Sequence, residues 1–205
     1  MARRTKDEAE KTRNAILDAA EKIFYKRGVT RTSLEQIAEE AGVTRGAVYW
    51  HFKDKLELCD AMSQRVFLPH EDMLEKLAAE PSAAPLEDLK KACMHALKMM
   101  AKDKRRRDVV SILFLRCEYV EEMLSIRKRH NECKNRMLVL SEKIFTRAKE
   151  LNMLASGWTP RQAAVATQSL ITGLILGGLE QRKGFGFATI GVACVEAFFN
   201  SLRVN

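Results

Sequence analysis

The chain has 205 residues, with 35 Lys and Arg against 27 Asp and Glu and a formal net charge of +8. That length supports one large or two small domains, and the charge suits a polyanionic partner. Cys59, Cys93, Cys117, Cys133 and Cys194 are scattered without a CxxC pair, and His51, His70, His95 and His130 show no ligand spacing. This argues against a disulfide scaffold and a zinc site. With no signal peptide in front, reduced cytoplasmic thiols fit better.

The charge is spread rather than focused. Residues 1–55 hold 12 Lys and Arg against 9 Asp and Glu, and the remainder holds 23 against 18. Arg3, Arg4 and Lys6 open the chain as a short basic arm. It either reaches a phosphate or minor groove, or is a solvated terminus.

Residues 32–55 read as two short helices around a tight turn. Thr32 and Glu35, three apart, fit a capping box that starts the first helix. Leu34, Ile37, Ala38 and Ala41 give it one apolar face. Gly42 is placed as its left-handed stop. Thr44 caps the second helix, expected over about Arg45 to Trp50. Arg45 and Tyr49 share its outer face. Arg45 is suited to guanine edges, Tyr49 to a thymine methyl or a phosphate, and Gly46 and Ala47 allow close backbone approach. His51, Lys53 and Lys55 supply donors for phosphates, and Val48 and Phe52 turn inward. This is a helix-turn-helix.

The remaining helices are expected near 54–67, 71–79, 86–101, 105–117, 121–151, 160–180 and 187–202. Pro69, Pro81, Pro85 and Pro160 mark breaks or starts. Glu80–Pro85 and Gly184–Gly186 read as loops. The run Lys102–Arg107 reads as a solvated helix junction. Leu124, Met137, Leu140 and Ile144 form the stripe of the longest helix. The uncharged run Gln162–Leu179 reads as a buried helix too polar to span a membrane. On it Ser169, Gly173 and Gly177 make a groove of small residues, with Phe185, Phe187, Phe198 and Phe199 supplying bulk beyond. The two helices either pair with their copies in a second chain or pack within one subunit. Six of the nine methionines, Met94, Met99, Met100, Met123, Met137 and Met153, fit an adaptable core or simple filler.

The string Thr44, Arg45, Gly46, Ala47, Tyr49, Trp50, His51, Phe52 and Lys55, following LxxIAxxAGV, resembles the DNA-binding segment of the TetR family of repressors. The opening stretch is similar to that family's first helix, with Ile16, Ala19, Ala20, Ile23 and Phe24 buried and Gly28 as its stop. ILFLRCEY, ending at Glu118 and Tyr119, and the segments Ala163–Ala166 and Gly173–Ile175 resemble the AcrR-like branch, repressors of multidrug efflux pumps. The resemblance covers nearly the whole chain. It implies an all-α fold: a three-helix reader over 1–55 and a larger ligand-binding and dimerisation domain over 56–205.

It further implies DNA contacts from Thr32, Ser33, Thr44, Arg45, Gly46, Ala47, Tyr49, Trp50, His51 and Lys55. The implied ligand lining is Cys93, Ala96, Val110, Phe114, Met137, Ser141, Gln168, Ile171, Thr172 and Leu176. Val110, Phe114 and Leu176 make that pocket more apolar than is usual for the branch, leaving Gln168 and Thr172 as its polar handles. Ser169, Gly173, Gly177 and Phe198 fall at the implied dimer interface.

The expected function is a homodimeric repressor on a palindromic DNA operator, released by a lipophilic inducer, with no cofactor and no membrane. A regulator without small-molecule response is the alternative. An enzyme is disfavoured, since no Ser/His/Asp pattern, phosphate loop or suggestive carboxylate pair occurs; Glu118, Glu121 and Glu122 read as helix-surface residues.

Overall fold

The computed structural model describes residues 6–80, 82–117, 124–180 and 185–204. Arg3, Arg4, Pro81, Glu118, Tyr119, Glu121, Glu122, Met123 and Gly184, singled out in the sequence, lie outside them. The elements are α1 (Lys6–Arg27), α2 (Leu34–Ala41), α3 (Arg45–His51), α4 (Lys55–Ala79), α5 (Pro85–Lys102), α6 (Lys104–Leu115), α7 (Leu124–Glu150), α8 (Pro160–Glu180), a π-helical turn (Phe187–Gly191) and α9 (Val192–Ser201). Among the described residues there is no β-strand, only one isolated bridge between Leu154 and Arg203. The all-α expectation holds.

The chain forms two compact units, one from Met1–Val66 and Asp108–Arg129, the other from Phe67–Arg107 and His130–Asn205. In the first, α1 opens with Asp7 and Glu8 and ends with Lys26 and Arg27, charges that complement the helix dipole at both ends. Its expected face, Ile16, Ala19, Ala20, Ile23 and Phe24, is buried. Gly28 ends it with φ at +83°, its amide donating to the Phe24 carbonyl at 2.9 Å. Arg65 on α4 clamps α1, with Nη1 donating to Asp18 at 3.1 Å and to Glu21 at 3.4 Å and Nη2 donating to Asn14. The stretch after α6 closes over the end of α1. There the Arg116 carbonyl accepts the Val29 amide at 3.4 Å, and the Arg116 guanidinium lies 4.5 Å from the Tyr25 ring centre.

In the second unit, α5 packs against α9 and the π turn. Phe145 and Phe199 stack at 6.3 Å in its core. The buried stripe of α7 is Leu138, Ser141, Ile144, Phe145 and Ala148, rotated from the expected one so that Met137 and Leu140 are only half-buried. Pro85 and Pro160 each occupy the first helical position, as expected of proline there. The Thr159 hydroxyl accepts the Gln162 amide at 3.2 Å, and the Gln162 side chain accepts the Thr159 amide at 3.0 Å, a second capping box.

Two expectations fail here and a third needs refining. Pro69 does not break a helix: α4 runs through it, sacrificing one amide donor of the ladder. The basic run Lys102–Arg107 is a helix junction and helix start as expected, with Lys102, Lys104 and Arg105 exposed, but Arg107 is not a solvated cation. Only Asp103 separates α5 from α6, and Arg107 Nη1 donates to the Met100 and Ala101 carbonyls at 2.7 and 2.8 Å, satisfying the end of α5. Finally, α8 is not buried in the single chain. Its best 18-residue window has mean hydropathy 1.3, enough by length and composition alone to cross a membrane, yet only 17% of that window is buried.

Cys59, Cys93 and Cys117 are buried, and desolvation raises all three thiols, that of Cys93 to about 12. Cys133 is pushed up to about 12, by burial first and then by the hydrogen bond its thiol gives Glu71 at 2.8 Å. All four stay protonated near neutral pH rather than acting as thiolates, and Cys59, Cys93 and Cys117 pack as small apolar groups while Cys133 serves as a donor to Glu71.

The end of α2 supplies a test of the backbone argument. Gly42 has φ at +65° and ψ at 30°, and an added Cβ there would meet nothing within 4 Å. Gly42→Ala therefore costs only the left-handed backbone penalty, about 1–2 kcal/mol, read as a lowered thermal midpoint.

Candidate nucleic-acid interface

The surface in question is built by α2, the turn Gly42–Thr44 and α3. The cap of α2 sits one residue later than the sequence suggests. Ser33 is the N-cap: its hydroxyl accepts the Gln36 amide at 3.3 Å while the Gln36 side chain accepts the Ser33 amide at 3.1 Å. Thr32 is buried, and its hydroxyl donates to the Gly28 carbonyl at 2.8 Å. Both residues satisfy the S/T-x-x-E/Q pattern, so spacing alone does not separate them; the inward turn of Thr32 decides. Thr32 thereby stabilises the α1–α2 link and offers no donor to an outside partner.

Thr44 caps α3 as expected, accepting the Ala47 amide at 3.2 Å. Val48 and Phe52 are the inward residues, at 0% and 1% exposure. The Arg13 guanidinium lies 5.2 Å from the Phe52 ring centre. Asp54 then starts α4, its carboxylate accepting the Glu57 amide at 2.9 Å while Glu57 accepts the Lys53 amide at 2.7 Å.

With Val48 and Phe52 turned in, Arg45, Tyr49 and Trp50 are turned out. Tyr49 is 45% and Trp50 73% exposed, a large apolar exposure for adjacent residues. Arg45 lies 5.4 Å over the Tyr49 ring, and its Nη2 donates to the Tyr49 hydroxyl at 3.5 Å. Its Nε is 2.9 Å from the Glu35 carboxylate. The Trp50 and His51 rings meet edge-on at 4.4 Å. A Cβ added to Gly46 would come no nearer than 3.9 Å to any neighbour, so no packing within the chain demands glycine there. Lys55 is engaged in part: Nζ donates to the Val29 and Thr30 carbonyls at 3.1 and 3.3 Å. The outward set is thus cationic and aromatic, mounted on a capped helix short enough to enter a groove.

Family models match on both sides of the chain. Residues 16–62 match bacterial regulatory proteins of the tetR family, and residues 84–204 match the C-terminal region of MAATS-type transcriptional repressors. The chain belongs to the TetR family of transcriptional regulators. The HTH-type transcriptional repressor BepR of Brucella suis is 37% identical over 98% of this chain and 96% of its own length. NalD of Pseudomonas aeruginosa, the secondary repressor of the MexAB-OprM multidrug efflux pump, superposes with a TM-score of 0.87 at 39% identity, covering 98% of this chain and all of NalD. SmeT in complex with triclosan superposes with a TM-score of 0.86 at 31% identity, over 95% and 92% of the two chains.

In this TetR-family chain the residues implied for a ligand are spread over four helices. Cys93 on α5 is buried and Ala96 half-buried. Val110 and Phe114 on α6 belong to the first unit, Val110 buried and Phe114 half-buried. Met137 and Ser141 lie on α7, Ser141 buried. Gln168, Ile171, Thr172 and Leu176 are half-buried on α8. The Gln168 amide donates to the Lys134 carbonyl at 2.7 Å, so one of its two protons is engaged.

Of the residues implied at a dimer interface, Ser169 and Gly173 are exposed and Gly177 half-exposed. A Cβ added to Gly173 or Gly177 would meet nothing within 4 Å. Phe198 instead packs edge-on against Trp158 at 6.0 Å. On α8 the glycine that an in-chain contact requires is Gly178, whose missing side chain makes room for Phe185 and Phe187. Sequence reading missed Gly178, since only the folded path of the aromatics reveals it. It also missed Glu35 as the partner of Arg45, a contact across the turn that no helical spacing announces.

The Lys55 geometry has a measurable consequence. Lys55→Ala removes a charged donor from two backbone carbonyls of the α1–α2 link, so it should cost about 1.5–3 kcal/mol of stability in the absence of DNA. Chemical denaturation of the two proteins checks this; a purely phosphate-facing lysine would leave the midpoint unchanged.

Proposed function

We propose that the chain is a homodimeric, ligand-responsive repressor of a multidrug efflux operon, acting in the cytoplasm. The observation that carries the DNA half is the outward set Arg45, Tyr49 and Trp50 on a capped α3, with Gly46 free of any in-chain reason to be glycine. In this reading α3 enters the major groove. Arg45 and Tyr49 address base edges, Gly46 and Ala47 permit close approach, and Thr44, Ser33 and His51 set register on phosphates. Lys55 keeps one proton for a phosphate while its other bonds hold the α1–α2 link. Thr32 acts inside the reader.

Pairing of two chains is supported by α8. A helix of that hydropathy with so little of it covered in the single chain calls for a cover. The open faces of Gly173 and Gly177 let a second helix approach closely, and Val165 at 43% and Ile190 at 47% exposure add apolar area beside them. A two-fold pair reads a palindrome with half-sites about 34 Å apart, which one α3 alone cannot. Membership in a family of DNA regulators favours this cover over a bilayer, and a regulator over an enzyme.

The small-molecule response rests on kinship with SmeT, which has been captured with triclosan, and the efflux target on kinship with NalD. We assign the ligand to the helical body, near Cys93 of α5 and the α8 residues Gln168, Thr172 and Leu176. A ligand loosens DNA only through different affinities for the DNA-bound and free forms, a coupling of about 1–3 kcal/mol. Packing of the Arg116 carbonyl on Val29 supplies a direct mechanical link from the end of α6 to the reader.

Arg45→Ala should weaken binding to the DNA upstream of the chain's own gene by about 1–3 kcal/mol and relax base preference. Fluorescence anisotropy at fixed salt, with a scrambled duplex as control, measures this. A lipophilic drug panel added to the same complex should include at least one compound that releases it. Val165→Glu with Ile190→Glu should shift the chain from dimer to monomer in sedimentation and take operator affinity with it.

A further inference from the structure

The proposed reader contains one group whose charge opposes DNA binding. Glu35 is exposed at the start of α2, on the surface that would face phosphates, and its carboxylate lies 2.9 Å from Arg45 Nε. As a source of stability this pair counts for little, since both side chains are about half exposed or more. Its geometry says more. The Glu35 carboxyl is held below the usual carboxylate range, first by a hydrogen bond from its own backbone amide, then by the Ser33 hydroxyl, and finally by the charge of Arg45. It stands in the first turn of α2, two residues after the N-cap Ser33, and faces Arg45 across the turn. Arg45 is gripped from the other side by the Tyr49 ring and hydroxyl. A guanidinium has five donors on a rigid plane. With Nε facing the Glu35 carboxylate and one Nη2 proton given to the Tyr49 hydroxyl, Nη1 and the second Nη2 proton remain, enough for a paired contact to guanine O6 and N7.

We propose that Glu35 is a positioning residue for DNA reading: it fixes Arg45 in a base-reading pose and keeps it off the phosphate backbone. Unrestrained, a long cationic side chain beside DNA finds the nearest phosphate, a contact that carries no sequence information. A carboxylate 2.9 Å from its Nε disfavours phosphates nearby and holds the guanidinium away from them. Glu35 thus trades general affinity for selectivity. The inference rests on the proposed role of α3 in DNA binding.

The test uses the full-length wild type, Glu35→Gln, Arg45→Ala and the double variant, each made to select from a randomised duplex library. Affinities for the wild-type-selected duplex and for a scrambled duplex are then measured across a salt series. Glutamine keeps an oxygen for the α2 amide and Ser33, so the fold survives, and thermal melts verify that. The expected result is that Glu35→Gln binds the scrambled duplex several-fold more tightly, with a salt slope steeper by about one. It should also flatten base preference at the same position that Arg45→Ala flattens, and add no further flattening in the Arg45→Ala background. If Arg45→Ala loses that preference and Glu35→Gln retains it in full, Glu35 does not position Arg45 and the inference falls while the reader stands. If Arg45→Ala selects the same sequence as the wild type, the reading of α3 fails and the inference falls with it.

Discussion

A helix of seven residues does not hold itself together in water. Everything assigned to α3 depends on its being clamped from beneath, and two side chains do this. Val48 from the middle of the helix and Phe52 just beyond its end are sealed in the core that α1 and α2 supply. Fixing the middle and the end of so short an element fixes its rotation. Arg45, Tyr49 and Trp50 have no choice but to face outward, and selectivity can then be built from side-chain detail rather than from a mobile helix. The caps finish the work: Thr44 satisfies the Ala47 amide of the first turn, and Phe52 closes the ladder by donating its amide to Val48 at 2.8 Å.

The same economy extends to how the reader is tied to α4 and to the end of α6. The α1–α2 link is a crossing point. Val29 receives Lys55 on its carbonyl and gives its amide to Arg116, while Thr32 bonds back to Gly28. Lys55 and Arg116, far from Val29 along the chain, thus converge on the stretch Gly28–Thr32. Farther along α4, Arg65 spreads one guanidinium over Asn14, Asp18 and Glu21. Lys55 and Arg65 of α4 and Arg116 after α6 thus all hold α1 or the link that follows it.

Much of this is legible in the sequence where local rules suffice. The left-handed Gly42, the Thr44 cap, the inward pair Val48 and Phe52 and the buried face of α1 follow from spacing and backbone chemistry, and the structure has them all. The failures share a cause, which is that tertiary contacts choose between locally equal options. Thr32 and Ser33 both fit a capping box, and only the nearness of the Gly28 carbonyl makes Thr32 turn in. Pro69 breaks isolated helices, yet α4 continues through it. Arg107 looks like one more solvated cation until the end of α5 is seen to need donors. The α8 pattern suggests burial because its composition is apolar, while the single chain leaves most of it only half-buried. In the proposed site, the outward residues are readable from the helix-turn-helix pattern; the Glu35 contact and the double duty of Lys55 are not, because both cross from one element to another.

Trp50 offers the most direct test of the central claim that the outer face of α3 meets DNA. The chain has two tryptophans, so Trp158→Phe leaves Trp50, 73% exposed, as the sole indole. Its accessibility to a soluble quencher can be followed while the duplex from upstream of the chain's own gene is titrated in. The account predicts that Trp50 becomes shielded in step with saturation by that duplex, and not with a scrambled one. Binding that leaves Trp50 as open to the quencher as before would contradict it.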